Sequence, residues 1–312
     1  MTGLTPDRSI ASHGRRIPTR VGSREAISSA AAYSQADYFS IFPKTRIESN
    51  SGEFDSRHPA PPRRSPAMPE STPARRDLVY QVGTIRSLLT GVYEGDVSFS
   101  ELAHYGDFGL GTFDAVNGEM IALGGEFHRI DAEGNAHRVT PSTKSPFAVM
   151  THFRALLEDE VHEASHLAAL TDRIHTNFES ENIIYAVRIT GEFAHIDARS
   201  EHPQPPGHHP LSETISEVQT QLSYEDVRGT LVGFWFPQHM KAINVPGFHF
   251  HFLDQHKKVG GHVFDLQIRH GRVEIMPIFD FGMHLLHTPL FESADLTGDR
   301  DLETKRVEQS PA

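Results

Sequence analysis

The segment Gly247-Phe248-His249-Phe250-His251-Phe252 alternates aromatic and imidazole side chains, and Gly260-Gly261-His262 follows after a polar turn. Alternation with a period of two is the pattern of a β-strand, whose successive side chains point to opposite faces. His249 and His251 then share one face, roughly 7 Å apart at about 3.3 Å per residue. Phe248, Phe250 and Phe252 take the other face and can pack into a core. His262 opens the apolar run that ends at Ile268, so a strand, a turn and a returning strand would bring a third imidazole beside the first two. Three converging neutral imidazoles form an open zinc site with a position left for water or substrate. Without a carboxylate ligand the ion keeps its full charge, which suits Lewis-acid polarisation of a carbonyl or activation of a bound water. The plain alternative is that His249 and His251 sit on the solvated face of a strand, and spacing alone does not choose between the two. His256, within the turn, is expected to face solvent. His202, His208 and His209 lie in the Pro-rich loop 201–210 and form a second, weaker cluster, because no strand supports them.

The elements that must position these groups begin near Leu78. Leu78–Val82 reads as a strand, and Thr84 to Leu89 as a short helical or strand segment. Ser98 to His104 reads as a helix with Ser98 at the N-cap and Glu101 completing a capping box. Gly109–Phe113, Glu119–Leu123 and Glu126–Ile130 read as successive strands, with turn chemistry at Val116-Asn-Gly118 and Ala132-Glu-Gly-Asn135. Pro146 to about Phe178 reads as one helix or two. Ile183–Ile189 and Gly191–Ile196 read as strands, Thr214–Gln221 as a short helix, Thr230–Phe236 as a buried strand, and a last helical region ends near Glu308. Strands that arrive in runs with hairpin-like turns predict an α+β fold with mixed or mostly antiparallel sheets. Taken singly, Glu119 reads as an edge-strand carboxylate and Arg199 as a surface residue.

The chain has 312 residues, a formal net charge of −12, 21 histidines and no cysteine. The acidic balance argues against nucleic-acid or anionic-membrane binding. The lack of cysteine excludes disulfides, Cys-ligated zinc and thiol catalysis, and fits a reducing, cytoplasmic setting. No apolar run approaches the ~18 residues of a transmembrane helix. Residues 1–76 are rich in Ser, Arg, Pro and Ala, and 57–76 is a Pro/Arg-rich stretch. Such a segment buries too little apolar surface to offset its chain entropy, so a disordered, dispensable extension is expected there, with residues 77–312 forming the ordered domain.

A series of words along the chain resembles the alpha-acetolactate decarboxylase family. They are Val79-Tyr-Gln-Val-Gly-Thr84, Gly91-Val-Tyr-Glu-Gly-Asp96, Gly106-Asp-Phe-Gly-Leu-Gly-Thr-Phe113, Asn117-Gly-Glu119, Gly125-Glu-Phe127, Lys144-Ser-Pro-Phe147, Arg228 to Phe234, Asn244 to Phe252 and Gly260 to Asp265. The resemblance spans about Leu78 to Glu308. It implies two mixed, mostly antiparallel β-sheets with flanking helices around a zinc ion, a homodimer, and conversion of 2-acetolactate to acetoin and carbon dioxide. It implies zinc ligation by His249, His251 and His262. It places the family's active-site threonine on Thr112, its first glutamate on Glu119 and its arginine on Arg199. A second glutamate, from a C-terminal tail that reaches the site, falls on Glu308, with Glu303 as the other position considered.

The substrate's chemistry fits these groups. Loss of carbon dioxide leaves an electron pair that delocalises onto the ketone oxygen as an enediolate, and a cation beside that oxygen stabilises it more than the ketone. A carboxylic acid, Glu119 or Glu308, would then return a proton. Arg199, a weak acid, suits binding of the substrate carboxylate, and Thr112 would orient an oxygen. Two rivals remain at this level. A cupin-like oxygenase or isomerase would follow His-x-His with a carboxylate, and only Asp254 is near. A non-catalytic zinc-binding β-protein would hold the ion without turnover.

Overall fold

Glycine-punctuated runs of β-branched and aromatic residues form two large sheets. The computed structural model describes residues 77–205, 210–211, 219–298 and 300–308. The expectations for residues 1–76, for His208 and His209, and for a helix over 214–218 lie outside these residues. Gln219 to Gln221, expected at the end of that helix, are strand.

The first sheet runs in the order β14 (Asp280–His284), β1 (Leu78–Val82), β8 (Ala148–Thr151), β3 (Phe108–Thr112), β4 (Glu119–Leu123), β5 (Glu126–Ile130) and β6 (Ala136–Arg138). It is mixed, because β1 and β14 pair in parallel while its other pairs are antiparallel. The second sheet runs β10 (Ile184–Glu201), β11 (Gln219–Phe236), β12 (Gly247–Asp254), β13 (Gly260–Ile278) and β9 (Leu157–Ala164). A further β10–β13 pairing closes four of its strands into a small barrel, with β9 left on an edge. This sheet is wholly antiparallel, so only one of the two expected mixed sheets is mixed. A two-stranded ribbon joins β2 (Val97–Ser98) to β7 (Lys144–Ser145).

The helical part is slighter than an α+β reading implies. Helices α1 (Ile85–Leu89) and α2 (Phe99–Leu102) are single turns, α3 spans Leu167–His175, and α4 (Pro289–Ser293) and α5 (Asp301–Glu308) follow the sheets. The Ser98–Glu101 capping box is present, with the Glu101 carboxylate accepting from Ser98 N at 2.8 Å. Residues 148–151 and 157–164, expected to be helical, are strands β8 and β9. Leu157-Glu-Asp-Glu-Val-His-Glu-Ala164 has good helix formers, yet pairing along β13 decides its state.

Three apolar clusters follow from strand alternation. On β4, Ile121 joins the core between the sheets, while Met120 and Ala122 face outward beneath α2. Glu119 is in phase with Ile121 and therefore looks toward the barrel. On β12, Phe250 and Phe252 fill the barrel core, whereas Leu253 enters the core between the sheets. His249 and His251 are in phase with Leu253, so the imidazole face of β12 looks at the face of β4 that carries Glu119. No helix among the described residues is long and apolar enough to cross a membrane.

Candidate metal centre

The hairpin β12–β13 places His251 opposite His262 in register. Asp254 organises the turn between the strands. Its carboxylate accepts from the backbone N–H groups of His256, Lys258 and Val259 at 2.8, 2.5 and 2.8 Å. That leaves Asp254 tied to the turn, away from the histidines, and removes the one carboxylate a cupin-like site could have used. The turn docks on the first sheet through Ala136 N to Lys258 O at 2.8 Å and Gly260 N to Gly134 O at 3.1 Å. Gly261, at φ +156°, lets β13 pass close to β10. A Cβ there would lie 2.8 Å from the Arg199 carbonyl oxygen, so even alanine would displace His262 or Arg199.

All three imidazoles are buried and converge. His249 Nε2 lies 3.1 Å from His251 Nε2 and 3.1 Å from His262 Nδ1. Nitrogens bound tetrahedrally to one zinc at about 2.0–2.1 Å stand roughly 3.3 Å apart, so the donor set fits such an ion. His251 Nδ1 donates to Met120 O of β4 at 2.9 Å, which fixes its tautomer and turns the Nε2 lone pair inward. Burial, with Arg199 nearby, lowers the His251 pKa to about 4 against the opposing pull of the Met120 carbonyl. Burial, then His251 and Arg199, take His249 well below its ordinary value. Both rings are therefore neutral at pH 7, the state a metal needs. His256 is exposed, as expected, and His202 is exposed and sits 3.4 Å from Thr220 Oγ1, with no part in the cluster.

The remaining groups come from both layers. Gly118, at φ +88° with the Ile130 carbonyl oxygen 2.1 Å from where a Cβ would sit, makes the tight turn that starts β4 at Glu119. Glu119 is buried, with Oε2 3.2 Å from His251 Nε2 and Oε1 3.9 Å from His262 Nδ1. It thus borders the open corner of the cluster. Thr112, its cross-strand partner, donates its hydroxyl proton to Gly118 O at 2.8 Å, so its oxygen faces the cavity as an acceptor. Arg199 is buried rather than at the surface, opposite His262 on β13, with Nη2 3.4 Å from His262 Nε2. Its placement depends on β-bulges. Tyr185, Val187 and Ile189 point into the barrel, but after the register shifts between Glu192 and His195 it is Ile196 and Ala198 that do so. Arg199 and Glu201 are thereby turned toward the first sheet.

Glu201 is the residue the sequence reading missed. It is buried, lies 3.6 Å from Arg199 Nε through Oε1, and hydrogen-bonds to Glu119. Burial pushes its carboxyl up, more than Arg199 and the Glu119 bond pull it down. Two carboxyl groups that share a hydrogen bond must hold a proton between them. The signal was available: Glu201 is two residues from Arg199 on a strand, hence on the same face.

These groups line a cavity of about 30 Å³, together with Leu211 and Val307 of α5. Val307 brings the chain to the cavity wall one residue before Glu308. Glu303 is instead tied to Arg300 at 2.6 Å and does not line the cavity.

Convergent neutral imidazoles beside an acid and a guanidinium, set between two sheets, define a β-protein with a candidate metal site and an enzyme-like cavity. Comparison with known proteins narrows the class. Residues 79–298 match the family model described as alpha-acetolactate decarboxylase. The alpha-acetolactate decarboxylase of Brevibacillus brevis is 37% identical over 254 residues, 81% of this chain and 88% of that protein. That of Methylococcus capsulatus is 40% identical over 227 residues, 72% of this chain and 85% of that one. A crystal structure of the enzyme from Bacillus subtilis strain 168 superposes with a TM-score of 0.73 at 34% identity, covering 75% of this chain and all (100%) of that one. The chain belongs to the alpha-acetolactate decarboxylase family and is by class a carboxy-lyase.

Proposed function

We propose that the chain is a zinc-dependent enzyme that decarboxylates 2-acetolactate to acetoin and carbon dioxide. The observation that carries this reading is the convergence of the His249, His251 and His262 nitrogens at a cavity walled by Glu119, Arg199 and Glu201. When bound, the metal supplies Lewis-acid stabilisation for the negative charge that develops on the substrate's oxygens.

The rest falls to the side chains. Arg199 binds the substrate carboxylate, with its Nε edge turned to Glu201 and its Nη2 toward the imidazoles. The bond from C2 to the carboxylate carbon breaks, carbon dioxide leaves, and the electron pair enters an enediolate. A proton then adds to C2 from one face. Glu119 and Glu308 are the donors the family pattern offers, and Glu119 borders the open corner of the imidazole cluster. Glu201 and Glu119 share a proton, so the acid can be recharged within the cavity. Thr112 accepts from the substrate hydroxyl, since its own proton is committed to Gly118. The reading extends to a homodimer in the cytoplasm, which sedimentation and cell fractionation would decide.

The test is carbon dioxide release from racemic 2-acetolactate by purified protein. Release should stop with a chelator and return with Zn²⁺. Protein that carries one equivalent of metal yet turns over no acetolactate would overturn the proposal.

A further inference from the structure

A second group of metal-type donors lies on the outer surface of the barrel sheet. His162 on β9 stands opposite His270 on β13 in backbone register. Their ring centroids are 5.0 Å apart with planes inclined at 43°. Glu160 is two residues from His162 and shares its face, and its Oε2 lies 3.7 Å from His162 Nε2. One donor atom from each of the three residues lies within 4.8 Å of the other two, and all three side chains are exposed.

Arg272, which faces Glu160 in register, makes its nearest carboxylate contacts elsewhere, with Glu158 at 2.8 Å and Glu274 at 3.7 Å. Glu192 faces His270 from β10 on its other side, with its carboxylate paired to Arg228 at 2.5 Å. Backbone pairing already fixes the spacing of the two imidazoles. Closing the donors onto bonds of about 2.0–2.1 Å therefore takes only rotation of exposed side chains. Two imidazoles and a carboxylate select borderline ions such as Zn²⁺ and Cu²⁺ over Mg²⁺ or Ca²⁺.

We propose that Glu160, His162 and His270 form a second, surface site for a divalent ion of the zinc–copper class, with water in the remaining positions. The ion adds a cross-strand tie to β9, an edge strand that pairs with β13 and is also held by Arg173 from α3. This site is separate from the buried triad and stands whether or not the protein turns over acetolactate.

The experiment is equilibrium dialysis of the full chain against graded free Zn²⁺, with metal counted per chain. Wild type should bind one equivalent more than H162A/H270A across the upper range. The double variant should keep the tightly held ion and its turnover, and H251A should lose the tight ion and keep the weaker one. Equal metal counts for wild type and H162A/H270A would overturn the proposal. A second measurement leaves the residues intact. Zinc-loaded wild type titrated with Cu²⁺ should give a copper resonance with hyperfine coupling to two imidazole nitrogens. Failure to bind copper, or a signal without two-nitrogen coupling, would overturn it equally.

Discussion

Glu201→Gln and Glu201→Leu should part company. Glu201 is buried against Arg199 and hydrogen-bonded to Glu119, and burial favours its protonated form. Glutamine copies that form: its amide N–H can donate to Glu119, and its oxygen can face the guanidinium. Leucine offers neither. A hydrogen bond to a charged group contributes about 1.5–3 kcal/mol. At roughly 2–4 °C per kcal/mol for a domain of about 150–250 residues, Glu201→Leu should melt about 3–12 °C below wild type. Glu201→Gln should stay within roughly 4 °C of it, the loss of about 1 kcal/mol at most. In turnover, Glu201→Gln should hold KM, because Arg199 is still in place, and lose kcat, because the stored proton is gone. The assay is thermal melting of metal-loaded protein alongside steady-state decarboxylation. If Glu201→Gln melts as low as Glu201→Leu, Glu201 is the anion of the pair and the placement of the stored proton on it is wrong.

His251→Ala should lose metal and activity together, as read by metal analysis of the purified variant. Glu119→Gln should keep its metal and lose most turnover, and a fully active Glu119→Gln would take the acid role from that residue. For acid pH the sign is set by His251, whose folded pKa of about 4 lies below its ordinary 6.5. Its neutral ring contributes stability that is complete above 6.5 and is lost as pH falls toward 4, so wild type should destabilise and shed metal in that window. A pH-melting curve for His251→Ala should be flatter over the same range. Deleting residues 1–76 should leave specific activity near wild type, and a large loss would give that segment a part in the enzyme.

The imidazole cluster was legible because a strand's two-residue period and a hairpin suffice to converge His249, His251 and His262. The capping box at Ser98 and the strand at Glu119–Leu123 were legible for the same local reasons. What escaped is tertiary. Residues 157–164 carry helix formers but lie on the open edge of the barrel sheet, where β13's unpaired backbone decides their state. Arg199 reads as a surface residue by composition, and regular alternation from Tyr185 onward would instead turn it into the barrel core. Bulges near Phe193 change the phase, and no residue type there announces them. Glu201 was overlooked with it, since its meaning depends on knowing where Arg199 points.

One contact has a reach beyond its size. The outer nitrogen of His251 hands its proton to a main-chain oxygen of the opposite layer, Met120 of β4. A candidate metal ligand is thus aimed by the seam between the layers and not by its own strand. Ion uptake and closure of that seam then favour each other, so a chelator and a denaturant become allies: each makes the other's task easier.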